Sequence, residues 1–538
     1  MNKNHYTLSR LLDRIADQYP NNPAIISEGN KINYKELRAT VNKFAAGLLA
    51  LGVKKGDRVA LLMDNRPEWL VVDFAVTSIG AVLVPINIRY RSHELNYLLN
   101  NCRPSILILI DAFLNTNFIE MIYCLSSDRI KKREGRFRLE KFPFLKYVFC
   151  LSKEKHAGIQ RFEDIFDQGA RVPVDEINSA KESVNENDLA QIIYTSGSTA
   201  APKGAMLTQY NLCKNGEAIS DRMRVTHEDK FWMPIPLSFS FASANAIMNA
   251  LSKGACLVLQ RLFEPGEALK LIEAERCTVM YANPTIYLPM SNHPILKEVD
   301  ISSLKKGIAM GTPQNITRLV EDMGVEQICT GYGMTETTAI STLSDPLEPL
   351  DLRIYTNGTP FPGVSIAIKD PDSERMVPTG EDGEFRIKGY NIMRGYLDDP
   401  EKSAAAFDEE GYLRTGDIGM IREDGYVVFK GRYKDMLKTS GINVSTLEVE
   451  TFLETYPDVQ VAHVVGIPDE LKEEVGAAYI RLSPGSTCSE RDILNFCKGR
   501  IASYKIPKYI RFVSEFPLTS SGKVKKAEIR KQAIEELK

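Results

Sequence analysis

Short apolar runs alternate along this chain with longer mixed stretches. "RVALLMDN" (58–65) is an apolar run closed by Asp64 and Asn65 and predicts a strand. "RPEWLVVDFAVTSIG" (66–80) predicts a helix, and "AVLVPIN" (81–87) another strand. "SHELNYLLNNC" (92–102) reads as a helix capped by Ser92, and "SILILI" (105–110) as the next strand. The pattern resumes at "AQIIYT", "ACLVLQ" and "CTVMYAN". Strands alternating with helices predict an α/β layered domain. The most apolar stretch, "LVVDFAVTSIGAVLVPI" (70–86), is interrupted by Asp73 and too short for a membrane span. It predicts a buried helix followed by a strand.

The texture changes near residue 432. "GRYKDMLKTSGIN" is polar and punctuated by glycine. Beyond it come short strand patterns ("QVAHVVGIP", "GAAYIRLS", "KYIRFVS") and helices, one expected to start at Ser489 with Asp492 closing a capping box. The expected division is a large N-terminal α/β domain, 1–432, and a small α+β domain on a hinge, 433–538.

Composition narrows the options. A chain of 538 residues exceeds one ordinary core. A net charge of −3 gives no reason to expect a nucleic-acid partner. The nine cysteines include no Cys-x-x-Cys pair, and the six histidines no His-Glu-x-x-His spacing, so neither a disulfide framework nor a zinc site is expected. The start, "MNKNHYTLSR", lacks the apolar core of a signal peptide. A reducing cytoplasm is the expected location. The basic run at 129–141, "RIKKREGRFRLEK", reads as a solvated insertion or a weak contact with an anionic membrane surface.

The chemistry begins at "IIYTSGSTAAPKGAML" (192–207). A strand, a loop of small and hydroxyl residues carrying a lysine, and then a helix form a layout for holding phosphate. The run lacks the Gly-x4-Gly-Lys-Ser/Thr pattern of a P-loop. Further on, "GYGMTET" (331–337) offers a stacking ring, a hydroxyl and a carboxylate. "GYLRTGDIG" (411–419) sets Asp417 in a tight turn, where a carboxylate can accept from two ribose hydroxyls. "GRYKDMLK" supplies Arg432, and "PLTSSGKVKK" supplies Lys523, whose neighbours Lys525 and Lys526 read as solvated. Each motif alone also reads as a turn, a surface charge or a tail.

Together, in this order, they resemble the adenylate-forming superfamily of acyl-CoA synthetases, amino-acid adenylation domains and beetle luciferases, over nearly the whole chain. The resemblance implies a large domain that binds ATP and a carboxylic acid, and a small domain that rotates between two half-reactions. It implies that Thr195, Ser196, Gly197, Ser198, Thr199 and Lys203 lie over the β- and γ-phosphates. "GIAMGTPQ" resembles the adenine-side segment, with Gly311, Thr312 and Pro313 where the family has a small residue, alanine and proline. Tyr332 would stack on adenine, Thr335 contact the α-phosphate and Glu336 hold Mg²⁺. Asp417 and Arg432 would hold the ribose. Lys434 stands at the hinge position. Lys523 would reach into the active site, and Lys438, Gly441 and Asn443 would line the thioester-forming site after rotation. ATP, Mg²⁺ and CoA are the implied cofactors and substrates.

The chain departs from the family pattern at several points. Ala200 stands for a glycine in the phosphate loop, which implies a stiffer loop. Phe239 stands where many relatives have histidine, and would border an apolar acid pocket with Ile340. The small residues Ala242, Ala244, Gly331 and Gly333 leave room for a bulky or long acyl chain. Ser240 follows, where amino-acid adenylation domains carry an aspartate, so an α-amino acid is not expected. Thr446 stands where proline is frequent. The expected activity is ligation of an apolar acid (fatty, alicyclic or aromatic) to CoA. Alternatives are an acyl-AMP ligase that loads a separate carrier protein, since no carrier domain fits after Lys523, a non-catalytic ligand-binding relative, and a luciferase-like oxygenase.

Overall fold

Parallel strands cannot be joined by tight turns, so each needs a crossover, and the strand–helix alternation of the sequence builds two such sheets. The computed structural model describes residues 6–125, 141–195, 202–439, 442–469, 472–498, 500–501, 503–519 and 523–537. One seven-stranded sheet runs Lys203–Thr208, Leu189–Thr195, Val82–Pro85, Arg58–Leu62, Ile106–Ile110, Tyr147–Leu151, Gln160–Arg161, parallel except for its first pair. The other runs Gln327–Cys329, Lys306–Ala309, Val279–Ala282, Lys230–Met233, Cys256–Leu259, Pro23–Ser27, Asn30–Asn33, parallel except for its last pair. The strands expected from the apolar runs all appear within these sheets.

The helix expected over 66–80 is Pro67–Ser78, and every residue from Trp69 to Ser78 is buried. A helix apolar on all sides is a core helix. Its buried carboxylate, Asp73, accepts from Gln191 Nε2 at 3.0 Å. The helix at 92–102 is capped differently from expectation. Ser92 is its first helical residue, Arg91 takes the cap position, and Glu94 Oε2 accepts from the Arg91 backbone N–H at 3.1 Å. The glutamate satisfies the N–H of the cap residue, and no cap side chain accepts a first-turn N–H as a serine would.

A four-stranded antiparallel sheet, Val364–Lys369, Gly383–Gly389, Leu413–Ile421 and Val427–Arg432, completes the large domain and shares its core. After the turn Tyr433–Asp435 the chain enters a second sheet, ordered Ile442–Val444, Leu437–Thr439, Glu473–Leu482, Val459–Asp469, with Tyr509–Phe512 beside Glu473–Leu482. Alternating residues of Glu473–Leu482 face two separate cores. Ala478 and Ile480 meet Val449, Leu453 and Ile493, while Ala477 and Tyr479 meet Ile529 and Ala533. Helix Glu490–Cys497 starts from Ser489 with the expected capping box: Ser489 Oγ accepts from the Asp492 N–H at 3.3 Å, and Asp492 Oδ2 from the Ser489 N–H at 2.9 Å.

Residues 129–140 of the basic run, Ser196 to Ala200 and Gly441 lie outside the described residues. Lys434, Lys438 and Asn443 are described by their backbone course alone. Among the described residues, no helix is long and apolar enough to cross a membrane.

Candidate active site

The phosphate-loop motif joins two antiparallel strands. Thr195 ends one, Lys203 begins the next, and the two are cross-strand partners. The helix expected right after the loop starts only at Gln209, beyond strand Lys203–Thr208. The motif is therefore a hairpin tip and not a helix entrance. "KGAMLT" alternates, with Ala205 and Leu207 fully buried, which is why it extends as a strand. Lys203 is held with its ammonium 4.9 Å from the ring centroid of Tyr396.

The "GYGMTET" segment follows strand Gln327–Cys329. Glu336 is buried, and Tyr396 Oη donates to its Oε1 at 2.9 Å. Thr338 and Ala339 just beyond it take positive φ, +53° and +71°, a strained course for non-glycine residues. Two amides fix that course. Asn215 Nδ2 donates to the Thr338 and Ile340 carbonyls at 2.8 and 3.1 Å, and Asn391 Nδ2 donates to Ser341 Oγ at 2.9 Å. A Cβ on Gly331 would lie 2.4 Å from the Thr342 carbonyl oxygen, and one on Gly333 2.3 Å from that of Ala339. Close backbone packing demands these glycines, so they carry no information about acyl space. Ile340 is buried beside them.

Asp417 lies in strand Leu413–Ile421, opposite Arg432, and not in the tight turn that the glycines of "TGDIG" suggested. Glu384 pairs with Ile418 and Arg386 with Arg414, so Thr415, Gly416 and Asp417 bulge against Phe385 alone, with Gly416 at φ +69°. The bulge absorbs the turn-forming residues and aims the carboxylate inward. Tyr332 Oη donates to Asp417 Oδ2 at 2.7 Å. Asp417 Oδ1 lies 3.3 Å from Arg432 Nε but receives no hydrogen bond. Burial raises the Asp417 pKa, against the pull of Arg432, Tyr332 and Lys523. The Tyr332 ring is edge-on to Phe385, 4.8 Å between centroids, and tilted against Phe429 at 5.6 Å.

Lys523 comes from the other domain. Its backbone N–H donates to Thr519 Oγ1 at 3.0 Å, in a turn preceding helix Lys526–Leu537. Solvent still reaches the side chain. Crowding by protein nevertheless lowers its pKa through desolvation, aided by Arg432 and opposed by Asp417 and Glu336. The ammonium therefore sits within electrostatic reach of three residues of the large domain. Lys526 is not solvated as expected. It pairs with Glu450 at 2.5 Å and donates to Thr446 Oγ1 at 3.0 Å. Thr446 is the first residue of its helix, where proline is also at home, and its hydroxyl gives Lys526 an acceptor that proline lacks. Lys525 pairs with Glu528 at 2.7 Å.

In the adenine-side segment, Gly311 has φ +146°, and a Cβ there would lie 2.3 Å from Tyr287 Oη. Thr312 caps helix Pro313–Met323, and its hydroxyl donates at 2.6 Å to Glu454 Oε2, a carboxylate of the small domain. Asn315 Nδ2 donates to the same oxygen at 3.2 Å. On the acid side, Phe239 is half-buried before a π-helical turn, Phe241–Ala246, in which Ala242 and Ala244 are fully buried. Ser240 Oγ lies 2.9 Å from Thr335 Oγ1, which joins the acid pocket to the expected phosphate contact.

The large domain thus contributes a buried carboxylate, Glu336, and a buried acceptor without a donor, Asp417 Oδ1, and a lysine of the small domain lies within electrostatic reach of both residues. The AMP-binding enzyme family matches residues 12–397, and its C-terminal domain residues 448–523. The chain belongs to the AMP-binding enzyme family. YngI of Bacillus subtilis (strain 168), whose name assigns it provisionally to the acyl-CoA synthetases, is 34% identical over 536 residues, covering 99% of this chain and 98% of its own. The mouse mitochondrial medium-chain acyl-CoA ligase ACSF2 (Mus musculus) is 31% identical, covering 99% of this chain and 88% of its own. The ATP-bound structure of MatB from Rhodopseudomonas palustris is 29% identical with a TM-score of 0.85, covering 98% of this chain and 100% of its own. The same protein solved without ATP gives 0.77.

AMP-binding enzymes of the acyl-CoA ligase type use ATP, Mg²⁺ and CoA, and the residues present fit them. Asp417 Oδ1 is a buried acceptor without a donor, as a ribose hydroxyl requires. Among the described residues no group of three or more His, Cys, Asp or Glu side chains could cage a metal. Mg²⁺ bound together with phosphate oxygens and water needs only one or two protein carboxylates, and the buried carboxylate of Glu336 fits that requirement. Sequence reasoning missed Tyr396, Asn215, Asn391 and Glu454. Tyr396 follows Glu336 by sixty positions, in "RGYL", and only a fold that pairs the two could single it out.

Proposed function

We propose that this chain is an ATP-dependent acid–CoA ligase for an apolar carboxylic acid. The observation that carries the reading is the position of Lys523. An ammonium from the small domain lies within electrostatic reach of Arg432, Asp417 and Glu336, and one oxygen of Asp417 is buried without a donor. The better match to the ATP-bound MatB supports the same orientation.

The acid's oxygen attacks the α-phosphorus of ATP, pyrophosphate leaves, and an acyl-adenylate forms. Lys523 and Lys203 offset charge on the phosphate oxygens as it moves toward pyrophosphate. Thr335 orients the α-phosphate and is itself held by Ser240. Asp417 and Arg432 anchor the ribose, Gly311, Thr312 and Pro313 border the adenine, and Tyr332 packs between anchor and base. Glu336 would hold Mg²⁺, whose charge would neutralise phosphate oxygens. The small domain then turns about Lys434 and presents the Lys438–Asn443 segment. The CoA thiolate attacks the acyl carbon, and AMP leaves with its electron pair. CoA is the expected acceptor because the curated relatives are named for CoA chemistry; a separate carrier protein is the finer alternative. Nine unpaired thiols support a reducing compartment, the cytoplasm.

Phe239, an acid side without an ammonium partner at Ser240, and the medium-chain activity in the name of ACSF2 point to an apolar acyl group. Pyrophosphate release across a panel of acids tests this. Octanoate and benzoate are expected to outperform leucine and phenylalanine by more than about 10²-fold, because an unpaired ammonium in an apolar pocket is costly. An amino acid as best substrate would overturn the pocket reading.

A further inference from the structure

Tyr396 makes two contacts that tie the metal carboxylate to the phosphate lysine. Its hydroxyl donates to Glu336 Oε1 at 2.9 Å, and its ring faces the Lys203 ammonium at 4.9 Å. The residue is 9% exposed. Its backbone is locked to the strand that carries Lys203. Tyr396 bridges to Ala205, the Leu397 N–H donates to the Gly204 carbonyl at 2.9 Å, the Met206 N–H to that of Gly395 at 3.0 Å, and the Arg394 N–H to that of Met206 at 2.9 Å. The Tyr396 N–H donates to Ser403 Oγ at 2.8 Å. Gly395, at φ +139°, lets the chain turn into this position, where a Cβ would lie 3.0 Å from Ser403 Oγ.

One rigid ring thus sets the spacing between two groups that come from distant parts of the chain. A tyrosine hydroxyl holding a metal-binding carboxylate fixes which way that carboxylate points. An aromatic face under an ammonium keeps the charge in place while leaving its N–H groups free for phosphate. We propose that Tyr396 is a positioning residue for adenylation, orienting Glu336 with its hydroxyl and Lys203 with its ring. The proposal rests on the ligase reading for the roles of those two residues.

The two contacts separate by substitution. Tyr396→Phe removes the hydroxyl and keeps the ring; Tyr396→Leu removes both. In the full-length protein, Tyr396→Phe is expected to raise the Mg²⁺ concentration for half-maximal pyrophosphate release by about 10-fold. Its ATP affinity measured calorimetrically in EDTA should stay within about twofold of wild type, since Lys203 is still held. Tyr396→Leu should show the same Mg²⁺ effect and also lose about fivefold in metal-free ATP affinity. Thioester formation from preformed acyl-adenylate and CoA should be unchanged in both. An unchanged Mg²⁺ requirement in Tyr396→Phe would overturn the proposal, as would equal losses of both half-reactions together with a lowered melting temperature. A wild-type protein that binds ATP but releases pyrophosphate with no acid would overturn the ligase reading itself, and the Tyr396 role with it.

Discussion

Single residues show how burial sets chemistry in this protein. Asp73 is fully buried in an apolar helix with one amide for a partner, and desolvation pushes its pKa up to about 7, with Gln191 pulling weakly the other way. The folded-state value exceeds the unfolded one, so stability from this group is complete below the unfolded pKa and is lost as pH rises through 7. Asp73→Asn keeps the shape and cannot ionise. Its stability advantage in urea unfolding should grow by about 2–3 kcal/mol between pH 5 and pH 8. An advantage that does not change between pH 5 and pH 8 would mean that folding does not raise the Asp73 pKa. Part of the candidate site was legible as residue types. Lys203, Glu336, Asp417, Arg432 and Lys523 are polar residues in glycine- or hydroxyl-rich settings; Tyr396 links Glu336 to Lys203, and Lys523 lies within electrostatic reach of Arg432, Asp417 and Glu336. Local geometry was less so. Glycines around Asp417 signalled a turn, but neighbouring strands turned them into a bulge, and the glycines at 331 and 333 answer to backbone packing and not to substrate.

At the scale of elements, apolar runs predicted strands well because the parallel sheets are buried on both faces. Caps were harder. Ser489 and Asp492 obeyed the local rule, while Ser92 fell one residue inside its helix and Glu94 supplied the capping bond instead, to the Arg91 N–H. Contacts between elements of different domains were not legible at all. The small-domain helix Thr446–Leu453 ends beside Glu454, and that carboxylate docks on the start of helix Pro313–Met323 through Thr312 and Asn315. Its other oxygen accepts the Ala462 N–H at 3.1 Å. Thr312 stands where the resemblance leads one to expect alanine, so the hydroxyl adds a contact between domains. Burial raises the Glu454 pKa to about 7, with Glu450 adding to it and Thr312, the Ala462 N–H and Arg318 opposing it; Tyr287 also faces the group. Glu454→Ala removes these charge-assisted bonds in one orientation only. Acyl-adenylate formation should fall by about 3–10-fold, and thioester formation from preformed adenylate should not fall. A loss confined to the second step would contradict the docking role.

The whole molecule is a large domain whose three largest sheets share one core, and a small domain with cores of its own. Separate cores let the small domain move as a unit, and the turn Tyr433–Asp435 is the connection about which it would do so. The presence of a large and a small domain was legible because the polar, glycine-punctuated stretch after residue 431 interrupts both apolar patterns. The orientation of the domains was not, since it depends on contacts such as Glu454 with Thr312 that no periodicity encodes. In the orientation seen, Lys523 lies within electrostatic reach of Asp417, Arg432 and Glu336, and the Lys438–Asn443 segment belongs to the small domain's sheet. The central claim is that one cleft serves two reactions in two orientations. The measurement that tests it most directly is Lys523→Ala assayed in the two half-reactions separately. Acyl-adenylate formation from acid and ATP should fall by about 10²–10³-fold, the usual cost of removing a preorganised donor. Thioester formation from preformed acyl-adenylate and CoA should stay near the wild-type rate. Equal losses in both half-reactions would contradict the alternation and reduce Lys523 to a structural residue.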